Sequence, residues 1–328
     1  MRILLWIGLA LVIASCARQP LEPSRVAVPA LGPSTYLTSD GVRLPLHRWL
    51  PTSPPKAVIV ALHGFNDYGR FIETPADYFT RHGIAVYSYD QRGFGANPDR
   101  GRWAGVESYS DDLKTLTALI RQRHPDIPLY VLGESMGGAI AIVAATSGLA
   151  HTDGLILASP AVWARWTMPW YQRSLLWLGD HLAPGMELTG NGLGIQPSDN
   201  LEMLRALGRD PLVIKATRID AVAGLTDLMD QAQAAAPRLR IRTLYLYGGR
   251  DQLVPRAPTL SFLNRTDTHQ VRLAWYDGAY HMLLRDLEAS RYWRDILSWI
   301  ENSGNPLPSG ADRHGEVILS MTNRNRTK

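Results

Sequence analysis

The most informative stretch of this 328-residue chain is Leu129-Tyr130-Val131-Leu132-Gly133-Glu134-Ser135-Met136-Gly137-Gly138. Its first four residues are apolar and of strand type, and Met136 to Leu149 then has the length and apolar spacing of a helix. Between them lies Gly-x-Ser-x-Gly, whose small residues permit a strained strand-to-helix turn that exposes the serine hydroxyl. Alone the pattern is weak. Between a buried strand and a helix it is specific. In that setting the N–H of Met136 lies at a helix N-terminus, where it can donate to charge developing on an attacked carbonyl oxygen.

On either side the chain alternates. Ala57 to Leu62 is apolar throughout, and similar runs occupy Ile84 to Tyr89, Leu155 to Ala158, Thr243 to Tyr247 and Val271 to Trp275. A further strand, Leu44 to Leu50, is set off from Ala57 by the turn-rich Pro51-Thr52-Ser53-Pro54-Pro55. Strands without a polar face belong in a sheet covered on both sides, hence in parallel strands joined by helices, and Thr74 to His82 and Glu107 to His124 have helical spacing. The expected class is α/β, a mostly parallel central sheet flanked by helices, over residues 36–302. Between Pro160 and about Leu239 the alternation stops for roughly eighty residues, too many for a connection, and we read an inserted helical cap. Trp163, Trp166, Trp170 and Trp177, four of the ten tryptophans, fall there. They would form the cap's own core, or an apolar face toward an acyl chain or a membrane.

A serine hydroxyl is a poor nucleophile at neutral pH and needs a base, itself oriented by an acid; after a serine elbow of this kind the order is serine, acid, histidine. Asp251 follows the run ending at Tyr247 in Gly248-Gly249-Arg250-Asp251, whereas Asp220, Asp227 and Asp230 fall on cap helices. His281 follows the last buried run in Gly278-Ala279-Tyr280-His281; His151 and His181 precede the acid, His269 precedes the last strand, and His314 is in the tail. Ser135, Asp251 and His281 are therefore the candidate catalytic residues. The second oxyanion donor should come from the loop after Leu62, His63-Gly64-Phe65-Asn66, with the N–H of Phe65 pointing inward. His63 reads as a packed residue that shapes the loop.

The formal charge of +4 is concentrated at the ends. Removing Arg2, Arg313, Arg324, Arg326 and Lys328 from 34 basic residues, and Asp312 and Glu316 from 30 acidic ones, leaves 29 against 28. A balanced body is no phosphate-binding surface, so a nucleic-acid partner is not expected. Residues 1–15 join one arginine to an apolar run too short for a comfortable span, as in a secretory signal peptide. Ile13-Ala14-Ser15-Cys16 resembles the lipobox of bacterial lipoproteins, and Cys16 is the sole cysteine. The expectation is lipidation at Cys16, a proline-rich tether over 16–35, and a bacterial envelope protein anchored by lipid in the outer membrane and facing the periplasm. Residues 303–328 read as a polar tail without fixed structure.

From about Ala57 to Ile300 the chain resembles the monoacylglycerol lipase and lysophospholipase group of α/β-hydrolases. The resemblance rests on Leu62-His63-Gly64, Tyr89-Asp90-Gln91-Arg92-Gly93-Phe94-Gly95, the serine elbow through Ala141, Gly208-Arg209-Asp210-Pro211-Leu212, Gly249-Arg250-Asp251 and Gly278-Ala279-Tyr280-His281. It implies Ser135, Asp251 and His281 as the triad, Phe65 and Met136 as oxyanion donors, no metal or cofactor, and a cap that admits one acyl chain. The sequence departs from the usual pattern at Asn66-Asp67-Tyr68, where Gly-Glu-His is common, and at Glu134, where histidine is common. Asp67 and Arg70 are candidates for gripping a glycerol-sized headgroup. The expected activity is hydrolysis of the carboxylic ester of a monoacyl lipid. A peptidase or amidase of the same fold, or an inactive lipid- or protein-binding lipoprotein, is the alternative.

Overall fold

In a computed structural model of the chain, which describes residues 26–324 apart from 191 and 193, all six residues of the strand Ala57–Leu62 are buried. The period of two sorts them: Val58, Val60 and Leu62 enter one core, Ala57, Ile59 and Ala61 the other. A strand with no wet face needs neighbours on both sides and helices above and below. The strands are β1 (Ala30–Leu31), β2 (Thr35–Leu37), β3 (Arg43–Trp49), β4 (Ala57–Leu62), β5 (Ile84–Tyr89), β6 (Leu129–Glu134), β7 (Gly154–Ala158), β8 (Glu187–Thr189), β9 (Ala216–Arg218), β10 (Thr243–Gly248) and β11 (Val271–Tyr276). The helices are α1 (Glu73–Arg81), α2 (Val106–Arg123), α3 (Met136–Thr146), α4 (Trp170–Leu182), α5 (Leu201–Arg209), α6 (Ile219–Ala235), α7 (Arg256–Leu263), α8 (Ala289–Glu301) and α9 (Ala311–Arg324).

The main sheet has nine strands in the order β1-β2-β3-β5-β4-β6-β7-β10-β11. From β5 to β11 neighbours run parallel, while β1, β2 and β3 form an antiparallel flank. One core gathers α2, α3, α6 and α7 against the sheet, and the other gathers α1 and α8. This is the expected α/β architecture, and it sends the carboxyl ends of β4, β6, β10 and β11 to one rim, where ligands bind in open α/β sheets.

Two sequence expectations are corrected at the ends. The proline-rich segment read over 16–35 does not stay a tether to its end, because Ala30–Leu31 pairs with Thr35–Leu37 and extends the sheet. Cys16 and the leader lie outside the described residues. Within the tail read as unstructured over 303–328, Ala311–Arg324 instead forms α9 against β11. Ala311 and Ile318 are buried, and Gly315 between them permits the contact, since a Cβ there would sit 2.1 Å from the Leu273 carbonyl oxygen. Polar neighbours hide so short an apolar stripe in the sequence.

The cap divides into two parts. Helix α6 has Leu228, Ala232 and Ala235 in the main core, whereas α4 has no buried residue. Strands β8 and β9 pair antiparallel, an element the sequence reading missed. Trp166, Trp170 and Trp177 are 57%, 71% and 61% exposed, so they are no core of the cap; Trp163 alone of the four packs against the buried cluster.

Candidate active site

The nucleophile elbow is built by close approach. A Cβ at Gly133 would lie 2.5 Å from the Gly137 backbone, and one at Gly137 would lie 2.3 Å from the Leu62 carbonyl oxygen. Only glycines let β6 turn into α3 this tightly. Ser135 sits at the apex with φ 53° and ψ −114°, a left-handed conformation that costs a non-glycine residue about 1–3 kcal/mol and is found where function requires it. Its backbone is over-determined: its N–H donates to the Ala158 carbonyl at 3.0 Å, and its carbonyl accepts from Ala139 and Ala161 at 3.1 and 2.9 Å.

Acid and base arrive on two loops that touch. A Cβ at Gly248 would fall 2.3 Å from the Tyr280 carbonyl oxygen, so glycine is required where the loops meet. The Gly249 N–H donates to Tyr276 at 2.8 Å and the Arg250 N–H to Ala279 at 2.9 Å, which fixes the loops side by side. The result is His281 Nδ1 at 2.7 Å from Asp251 Oδ2, both side chains buried. Asp251 Oδ1 accepts from the N–H groups of Leu253 and Val254 at 2.8 and 2.9 Å. With Nδ1–H donating to the carboxylate, Nε2 is left to accept a proton. Burial by itself lowers the His281 pKa, but Asp251 and the more distant Glu134 outweigh it and the net shift is upward.

Met136 opens α3, where an N–H has no carbonyl one turn earlier in the helix. Across from it, Gly64 packs on the serine, where a Cβ would meet Ser135 Cβ at 3.4 Å, and the following Phe65 shares the cavity wall with Ser135. His63 is fully buried; its Nδ1 lies 2.8 Å from the Gly64 carbonyl and its Nε2 accepts the Gln91 N–H at 3.0 Å. Burial holds its pKa below the ordinary value, and with both nitrogens engaged it shapes the loop.

Ser135 and His281 line one cavity of about 590 Å³. Most of its wall is apolar, from Trp163, Met168, Leu176, Leu225, Met229 and Leu253; Asn66, Asp67 and Glu134 are polar, as are Gln172 and Thr226 from the cap. Asp67 and Glu134 are 5% and 1% exposed, and both contact Arg285 Nη2, at 2.7 and 2.8 Å. Burial raises the Glu134 pKa against the pull of Arg285. The sequence reading missed Arg285; two buried acids on the wall of one cavity call for a buried cation, and Arg285, in the short helical turn Leu283–Arg285 that follows His281, supplies it.

Of the residues proposed from sequence, Ser135, His281, Phe65 and Asp67 line the cavity, Asp251 holds His281, and Met136 adjoins Ser135. Arg70 does not join them. It opens outward from a short helical turn, exposed and paired with Glu73, its i+3 neighbour at the start of α1. Among the described residues no group of three or more His, Cys, Asp or Glu could hold a metal ion.

Sheet order, elbow and loop pair define the class, a serine hydrolase with the α/β-hydrolase fold. The chain belongs to the serine aminopeptidase S33 family, whose model matches residues 53–288. It is 29% identical over 275 residues to a monoacylglycerol lipase of Mycolicibacterium smegmatis, covering 79% of this chain and 93% of that one. To the monoglyceride lipase of Rattus norvegicus it is 27% identical over 275 residues, covering 81% and 89%. In fold it is similar to a soluble variant of monoglyceride lipase from Saccharomyces cerevisiae, solved in complex with a substrate analog, with a TM-score of 0.69 at 18% identity, covering 87% and 97%.

Proposed function

We propose that the chain hydrolyses the carboxylic ester of a monoacyl lipid, of monoacylglycerol or lysophospholipid type, through an acyl-serine intermediate. The observation that carries this reading is a largely apolar cavity under the cap, with Ser135 in its wall and few polar residues around it. Such a shape suits a single chain and a compact alcohol. The names of the mycobacterial and rat relatives agree with it. His281 takes the Ser135 proton as the serine oxygen bonds to the carbonyl carbon, and the Phe65 and Met136 N–H groups stabilise the oxyanion. His281 then gives that proton to the leaving alcohol. Water repeats the sequence on the acyl-serine and releases the fatty acid.

Each methylene buried in the cavity contributes about 0.8 kcal/mol, so kcat/KM should climb several-fold per carbon until the cavity is full. The test is a panel of monoacyl esters from acetyl to palmitoyl, with lysophospholipids, diacylglycerols and aminoacyl amides beside them and Ser135→Ala as control. A profile flat in chain length, or preference for the amides, would overturn the reading in favour of a small-substrate esterase or a peptidase.

We also propose that residues 1–15 direct export and that Cys16 carries the lipid that holds the enzyme at the outer membrane, facing the periplasm. Ile13-Ala14-Ser15-Cys16 supports this, as do the exposed Trp170 and Trp177, which suit an apolar surface nearby. Cys16→Ser should abolish lipid attachment; an unmodified mature N-terminus downstream of Cys16, read by intact mass, would refute it.

A further inference from the structure

The loop that presents the Phe65 N–H is joined to the cap. Asn66 adopts φ 67°, a left-handed conformation that glycine takes at no steric cost and asparagine tolerates better than most residues, and its side chain contributes something glycine lacks. That contribution is visible: Asn66 Nδ2 donates to Thr217 Oγ1 at 2.7 Å. On the same residue the backbone carbonyl accepts the Ile214 N–H at 2.9 Å, and Tyr68, two residues on, donates its hydroxyl to Asp210 Oδ2 at 2.9 Å. Within the loop the Asp67 N–H reaches the Gly64 carbonyl at 3.3 Å, beside 2.8 Å contacts of His63 Nδ1 with that carbonyl and of the Tyr68 N–H with Asp67 Oδ1, so the cap bonds add to a closure the loop already has. Thr217 is the central residue of β9, and β9 runs directly into α6, whose Val222, Leu225 and Met229 face the cavity.

We infer that Asn66 is a positioning residue that couples the cap to the oxyanion donor, so that an acyl chain seated against α6 fixes the Phe65 N–H for the transition state. The route is continuous: chain against Leu225 and Met229, α6 to β9, Thr217 to Asn66, Asn66 to the adjoining peptide N–H. An acetyl group leaves the α6 wall untouched and gains nothing from the link. A long chain does. The inference rests on the monoacyl-ester reading above, and it adds that chain length acts on kcat as well as on binding.

The experiment compares Thr217→Val, which is isosteric but cannot accept the bond, with Thr217→Ser, which can, on p-nitrophenyl acetate and decanoate. Thr217→Val should lower kcat on the decanoate about ten-fold, a part of the roughly 10²–10³ that loss of a whole oxyanion donor costs, with KM and the acetate rate within about two-fold of wild type. Thr217→Ser should retain the wild-type ratio. Asn66→Gly, which keeps the backbone conformation and loses the amide, should add little once Thr217→Val is present, the non-additivity expected of partners in one bond. An undiminished decanoate kcat in Thr217→Val, equal losses on both esters, a Thr217→Ser variant as impaired as Thr217→Val, or fully additive effects would each overturn the coupling. A wild-type enzyme without chain-length dependence would instead sink the monoacyl-lipid reading, so the two failures are distinct.

Discussion

Replacing Arg285 by methionine would leave Asp67 and Glu134 side by side without their cation. All three are nearly sealed from water, with side-chain exposures of 9%, 6% and 2%, so solvent cannot substitute for the guanidinium. Breaking a buried pair from one side costs about 3–5 kcal/mol. For a domain of this size each kcal/mol moves Tm by about 2–4 °C, which predicts a fall of roughly 6–20 °C. Glu134 can escape part of the cost by taking a proton, because burial already raises its pKa and Arg285 is the main group opposing that rise. A carboxyl raised in the folded state costs stability as pH climbs above its unfolded value, so the deficit should be larger at pH 8 than at pH 5. The same change reaches the base. His281 must be neutral to accept a proton, its pKa is raised, and Arg285 is a group that holds it down. In Arg285→Met the acid limb of kcat/KM should therefore move to higher pH, and in Glu134→Gln, which removes a group that raises the pKa, to lower pH. Thermal melts at the two pH values and pH–rate profiles of the three proteins are the assays. An unchanged Tm at pH 8, or limbs that move together, would show that the cluster neither stabilises the rim nor tunes the histidine.

Asp251→Asn should lower kcat by about 10⁴ while leaving the protein folded, since an amide donating to Nδ1 stabilises the wrong tautomer; single-turnover kinetics check this, and a loss under ten-fold would remove Asp251 from the orienting role. Leu225→Trp narrows the cavity at the α6 wall and should cut kcat/KM for decanoyl and longer esters by at least ten-fold while sparing butyryl esters, read from the chain-length profile. Exchanging Trp170 and Trp177 together for serine should shift Tm by no more than about 1–2 °C, because both are mostly exposed, yet weaken binding to vesicles in a flotation assay; a collapse in stability would make them structural after all.

The fold was legible because its decisive strands carry no polar face. Ala57–Leu62 and Leu129–Leu132 can be buried only one way, and the turn at Ser135 has no other common use. The pairing of Asp251 with His281 was legible from chain order, since each lies in the loop after a buried strand. What stayed hidden depends on side chains that meet across long stretches of chain. Arg285 joins Glu134 across 151 positions, and no local pattern announces it. Arg70 shows the converse: it sits in the right loop, but Glu73 three residues on offers a cheaper partner in water. The terminal helix was missed because its polar residues made the segment read as a tail, while the use of Gly315 shows only where it meets Leu273 in space.

The strained apex of the elbow has a consequence for how such a chain can change over time. Ser135 holds a backbone conformation that glycine would adopt freely, and it does so because neighbouring hydrogen bonds leave it no alternative. Under the mechanism proposed above, the position that confers reactivity is thus among those where an inactive residue would relax the molecule. Selection for robustness alone would drift toward replacing the serine, and only a continuing demand for turnover opposes that drift. A copy of this gene released from that demand has a downhill path at Ser135, toward a firmer and silent version of the same fold.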